Sequence, residues 1–225
     1  GMNVTLGLLA MEQLDEPKHL RVWDGGLPLN PNPPWDYALF FNINGLTNEY
    51  DGEAYFLKNS RIDRVSCFEG IEELHFESLG TLEAAVTSGG LSTMPWTYEG
   101  RLVTLENKTL RYPGHWDKMV AYRQLGLFDE EEIEFKDQSF SPRSFYHHLL
   151  EPQLAENDSK DICIMRTEAK GIKDGRERTA VVESIEKYDP ETKFKAMEKW
   201  TGWHASILAI KAAKGSLPKG AVSIE

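Results

Sequence analysis

Two long segments near the end of the chain constrain its fold more than anything else in it. Asp161–Ile172 and Arg176–Tyr188 both alternate as strands do, and only Lys173-Asp174-Gly175 lies between them. Period-two alternation belongs to a half-buried strand, and Asp-Gly between two such runs is a strong hairpin signal. Two long strands joined this tightly commit the chain to an antiparallel core. The remaining elements do not alternate strand with helix in the βαβ manner, so helices must cover a sheet. The expected class is α+β, with a mixed, largely antiparallel sheet.

Other strands are expected at His19–Trp23, Glu53–Lys58, Arg61–Phe68 and Arg101–Glu106. Helical spacing marks Asn3–Leu14 through Val4, Leu8, Met11 and Leu14, and Leu79–Val86 through Leu82, Ala85 and Val86. Thr81 is the expected cap of the second of these. Pro142–Ala155 has Ser141 as N-cap and Pro142 at the first helical position. The last helix is expected from Trp203 to Lys214, with Thr201 as N-cap and Gly215 past its end. Asn44–Tyr50 makes one or two helical turns, and the Pro- and Asn-rich Leu29–Asp36 is loop. Residues 3–225 are expected to form one domain, with 29–36 and 156–160 its weakest points.

The candidate chemistry lies in Lys108-Thr109-Leu110-Arg111-Tyr112-Pro113-Gly114-His115-Trp116. Lys108–Tyr112 alternates as a strand, Pro113 ends the ladder, and Pro-Gly turns the chain. Helical spacing resumes from Trp116. A strand would thus deliver Arg111, and a tight turn would expose His115 ahead of a helix. Arginine grips a carboxylate through two parallel hydrogen bonds, and histidine moves protons near neutral pH. The bland alternative is a surface arginine and a histidine that closes a turn. Gly89-Gly90, flanked by Ser88 and Thr93, offers either close backbone approach to an anion or an ordinary helix C-cap.

Net charge excludes some partners. At a formal −11, the chain is a poor match for nucleic acid or an anionic membrane. Cys67 and Cys163 sit in apolar runs and read as reduced core thiols, consistent with a cytoplasmic protein. No G-x-G-x-x-G, P-loop, G-x-S-x-G or zinc spacing occurs. The acidic run Asp129–Glu134 and the His147-His148 pair point in divergent directions, so no metal is assigned.

Four stretches, in this order and spacing, resemble one family. They are Gly25-Gly26-Leu27-Pro28, the run from Gly80-Thr81-Leu82-Glu83-Ala84 to Thr93, Lys108–His115, and Thr201-Gly202-Trp203. Together they look like the C-terminal, substrate-binding and dimerisation domain of the saccharopine dehydrogenase family, which includes saccharopine reductases and lysine dehydrogenases. The resemblance implies a fold similar to the C-terminal domain of glyceraldehyde-3-phosphate dehydrogenase. It also implies an NAD- or NADP-dependent oxidoreductase acting on the C–N bond of an amino acid, active as a homodimer. The nucleotide would sit on a Rossmann domain that is absent from this chain. The expectation is therefore an excised domain or a stand-alone relative, inactive by itself. Its apolar first and last helices would pack near the nucleotide domain. Arg111 would hold the substrate carboxylate, and His115 would orient substrate or relay a proton. Ser88, Gly89 and Thr93 would line the anion side, and Glu49 and Tyr50 would meet the amino end. Thr201 and Gly202 would open a helix toward an anion or the cofactor. The alternative is a domain that binds an amino acid or dimerises without chemistry.

Overall fold

Alternation and turn chemistry give a hairpin where they should. In a computed structural model that describes residues 1–155 and 160–225, β9 (Asp161–Lys173) and β10 (Arg176–Lys187) pair from Lys173↔Arg176 to Ile162↔Lys187. Asp174 and Gly175 turn the chain with φ of 51° and 70°, the two positive values a type I′ turn requires. The possible weak point at 156–159 lies outside the described residues.

β1 (Glu16–Pro28) runs antiparallel along the other side of β9. Its far side pairs in parallel with β6 (Thr104–Arg111). β6 then meets two different neighbours along its remaining edge. Early in its length it pairs with β2 (Glu53–Lys58), at Leu57↔Leu105 and Lys58↔Thr104. At its end it pairs with β5 (Gly80–Ala85), from Ala85↔Thr109 to Glu83↔Arg111. β3 (Arg61–Ser66) completes a hairpin on β2, and β4 (Glu72–Phe76) completes one on β5. The sheet therefore forks beside β6, and β1–β6 is its parallel pair.

Side chains alternate across each strand, so β1 feeds two cores. Leu20 and Val22 face α1 (Met2–Met11) with Val4, Ala10, Leu105 and Met165. Trp23 and Leu27 turn the other way, toward Leu82, Leu110 and Ile164. A third core gathers α2 (Ile43–Tyr50), α4 (His115–Gln124) and α5 (Pro142–Leu154) around Tyr50, Trp116 and Tyr146. Ser141 caps α5 by accepting from the Ser144 amide at 3.3 Å. α3 (Met94–Tyr98) adds Met94 and Tyr98 to the first of these cores, while a small hairpin of β7 (Ile133–Phe135) and β8 (Gln138–Phe140) lies outside them.

Two expected helices need correction. Leu79–Val86 is strand β5, and Thr81 pairs with His75 instead of capping anything. Leu, Glu and Ala favour a helix weakly, and two flanking ladders outweigh that preference. The last helix does not begin behind Thr201. It starts as α6 (Ala196–Glu198), widens into a π-helical turn at Lys199–Trp203, and continues as α7 (His204–Ala213). Its first amides bond Asp161, where Oδ1 accepts from Ala196 N at 2.7 Å and Oδ2 from Met197 N at 2.8 Å. No residue of α7 is buried.

Candidate functional site

The fork in the sheet leaves the last residues of β6 facing α2, and Arg111 is the last of them. Its side chain is 3% exposed. Nε donates to Tyr50 Oη at 2.9 Å and Nη1 to the Leu110 carbonyl at 3.0 Å. The guanidinium lies 5.0 Å from the ring centre of Tyr37 and 5.8 Å from those of Tyr50 and Trp116. Glu49 is the acidic side chain in ion-pair range, and its Oε2 is 3.8 Å from Nη2, too far for a hydrogen bond. Despite burial, the neighbouring tyrosines and Glu49 hold the guanidinium charged. A buried cation normally has a close, hydrogen-bonded counter-ion. This one has donors to spare.

His115 is the correction at this site. Gly114, with φ of 81°, carries the chain from β6 into α4, but the turn buries the imidazole and leaves it 2% exposed. Its Nε2 lies 2.9 Å from Tyr50 Oη, so one phenol joins it to Arg111. Burial, then the charges of Arg111 and Lys118, holds its pKa well below the usual histidine range. The imidazole therefore lies behind the Tyr50 phenol and not on an exposed turn. His115 thus bonds the phenol that also holds Arg111. Tyr50 is fully buried, and its hydroxyl meets both Arg111 and His115.

On the same face of β6, two residues before Thr109, Asn107 donates to Asp24 Oδ1 at 2.6 Å. Asn3 on α1 donates to the same oxygen at 2.9 Å. Burial raises the Asp24 carboxyl above its ordinary value, opposed first by the Asn107 amide and next by the Arg111 charge. A Cβ on Gly90 would run into the Asn107 side chain, so glycine is required for that approach. Asp24 also lines a cavity of about 280 Å³ with Asn3, Trp200, Thr201 and His204. Sequence inspection missed Asp24 and Asn107. The available signal was a carboxylate and an amide inside otherwise apolar strands, where each needs a partner.

The other expected residues scatter. Ser88 Oγ donates to the Asn48 carbonyl at 2.7 Å, and its amide bonds Glu49 O, so it ties the loop after β5 to α2. Gly89 follows in open space, not at a helix end. Thr93 is not part of the cluster; its hydroxyl donates to Glu225 Oε1 at 2.6 Å. Thr201 lines the Asp24 cavity but sits inside the π-turn, and Gly202 is exposed. Neither opens a helix, so the dipole that would hold an anion or dinucleotide there is absent, and these residues do not fit the cofactor. Among the described residues, no group of three or more metal-ligating side chains forms, and no helix is long and apolar enough to cross a membrane.

These features define an α+β domain with a forked, mostly antiparallel sheet and a buried arginine at the end of its parallel pair. The family model for the saccharopine dehydrogenase C-terminal domain matches residues 6–225, and the chain belongs to that family. Its fold is similar to an apo, histidine-tagged saccharopine dehydrogenase (L-Glu forming) from Saccharomyces cerevisiae, with a TM-score of 0.72 at 14% identity. The match covers 97% of this chain and 63% of the yeast chain.

Proposed function

We propose that this chain is the substrate-binding and dimerisation domain of an NAD(P)-dependent oxidoreductase acting on the C–N bond of an amino acid. Residues 3–225 act as one unit, and the nucleotide is held by a Rossmann domain outside these 225 residues. Family membership supports the oxidoreductase class. The observation that carries the substrate side is Arg111, a buried guanidinium whose nearest carboxylate stands off at 3.8 Å. An incoming carboxylate would supply the close anionic partner that this cation lacks. Ser88 borders that approach through its contact with α2, and Gly89 follows it in the chain.

The test is calorimetry on the 225-residue chain. Arg111→Ala should weaken lysine by about 2–5 kcal/mol, the range for removing one member of a buried charge pair. On the unaltered chain, lysine methyl ester should bind more weakly than lysine, which needs no variant to fold. Equal affinity for acid and ester removes Arg111 from the substrate site.

A further inference from the structure

We infer that the outer face of α5, together with the β7–β8 hairpin, is a docking surface for a basic amphipathic helix of a partner protein. This surface shares no residue with the Arg111 site. Strands β7 and β8 pair at Ile133↔Phe140 and Phe135↔Gln138 and join no strand of the main sheet. Opposed residues point to one side of a hairpin, as do residues two apart, so Ile133, Phe135 and Phe140 share a face. Phe140 rests on Phe145 of α5, with ring centres 5.7 Å apart. Leu149 follows one helical turn further along. Ile133, Phe135, Phe145 and Leu149 are each roughly half exposed. They form an apolar strip that runs from the hairpin onto the helix. A contiguous strip of this kind marks an interaction site, and a lone two-stranded hairpin has little stability of its own.

The strip ends in a cavity of about 270 Å³ walled by Trp35, Tyr122, Leu127 and Tyr146, with Phe145 and Leu149. Its one amide, Gln153, is already used: Oε1 accepts from Trp35 Nε1 at 3.0 Å, and Nε2 donates to the Leu149 carbonyl at 2.9 Å. No charged side chain lines the cavity among the described residues, so it suits one large apolar side chain. Phe145 and Leu149, four residues apart on one helix face, form a ridge against which a second helix packs. Apolar anchors set into such a groove are how an amphipathic helix is held. Charge sets the other face of that helix. Residues 129–140 carry six carboxylates and one lysine. Glu130 pairs with Arg143, and Glu132 accepts from the Ser139 hydroxyl. Asp129, Glu131 and Glu134 are exposed and pair with no cation among the described residues. A second copy docked about a two-fold axis would bring two such acidic runs into one interface, where like charges repel. A helix with lysine or arginine beside its apolar stripe neutralises the run instead.

The probes are two synthetic helices with the same leucine and tryptophan stripe, one with lysine and one with glutamate on its polar face. Each is titrated into the full chain by calorimetry at pH 7. The lysine helix should bind, and the glutamate helix should not. Phe145→Ser with Leu149→Ser leaves every charge in place and alters side chains that are already half exposed, so the fold should survive. It should weaken the lysine helix at least about tenfold. Glu131→Gln with Glu134→Gln should weaken it less and flatten its dependence on salt. A lysine helix that does not bind, or two helices that bind equally, overturns the proposal. An affinity unmoved by the changes at Phe145 and Leu149 reduces the binding to attraction by net charge and overturns it too. Sedimentation tests the other occupant: if that double change halves the mass of the chain in solution, a second copy covers the strip and the partner helix is wrong.

Discussion

A single phenol organises this site at the scale of residues. Tyr50 Oη is the shared partner of Arg111 Nε and His115 Nε2, all inside one aromatic shell. Tyr50→Phe should orphan both nitrogens and cost about 1–3 kcal/mol, the penalty for an unsatisfied buried group. Urea unfolding would show it, and an unchanged midpoint would mean that the bonds contribute nothing. His115 also gives the fold a pH dependence of known sign. Its folded pKa is depressed, so above about 6.5 both folded and unfolded states are neutral and nothing is lost. As pH falls below that value, the unfolded chain takes a proton that the native state refuses. Stability then declines with a slope approaching about 1.4 kcal/mol per pH unit for one proton. Glu49 and Asp24 oppose this, because their raised pKa values let the native state bind protons first at lower pH. His147, also depressed by burial, adds to the decline. The readout is therefore a difference: His115→Gln should flatten the fall between about pH 6.5 and 5. Parallel curves for the two proteins would show that His115 titrates normally.

Among the elements, the C-terminal helical segment shows where sequence signals stop. Threonine before an apolar run, with glycine beyond its end, is sound cap chemistry, yet Thr201 caps nothing. The cap comes from Asp161, more than thirty positions earlier and fully buried. A long-range cap leaves no local pattern to read. β5 failed for the same kind of reason, since its strand identity comes from β4 and β6. The hairpin β9–β10 and helix α5 were legible because their signals are local: alternation with Asp-Gly, and Ser-Pro at the start. Arg111 was legible as the end of a strand, whereas the burial of His115 depended on α2 and the loop holding Tyr37. Asp161→Ala should remove both bonds to α6 and cost about 0.5–2 kcal/mol of local stability. Limited proteolysis should then cut faster within 196–213 while β9 and β10 stay protected. An unchanged cleavage rate there would show that the cap does not hold the segment.

Across the whole molecule, the longest open edge of the sheet among the described residues is β10, the shorter edges being β3 and β4. β10 is its outermost strand, twelve residues long, and Val181 and Ile185 stand exposed on one face of it, four residues apart. A long free edge offers unpaired amides and carbonyls to any other strand. The charges on β10 discourage indiscriminate pairing, since Arg176, Arg178, Glu183 and Lys187 demand opposite charges across the ladder. Pairing between two copies in antiparallel register would satisfy the edge and cover both apolar side chains. The expected state in solution is thus a two-fold dimer. Sedimentation should give the mass of two chains, and the double change Val181→Lys with Ile185→Lys should give the mass of one. Lysine affinity should survive the change, because Arg111, Glu49 and Tyr50 all come from a single chain. A wild type that sediments as a monomer at micromolar concentration would remove the dimer. A dimer unaffected by the two lysines would move it to another surface, such as the exposed apolar row Trp203, Ile207 and Ile210 of the C-terminal helical segment.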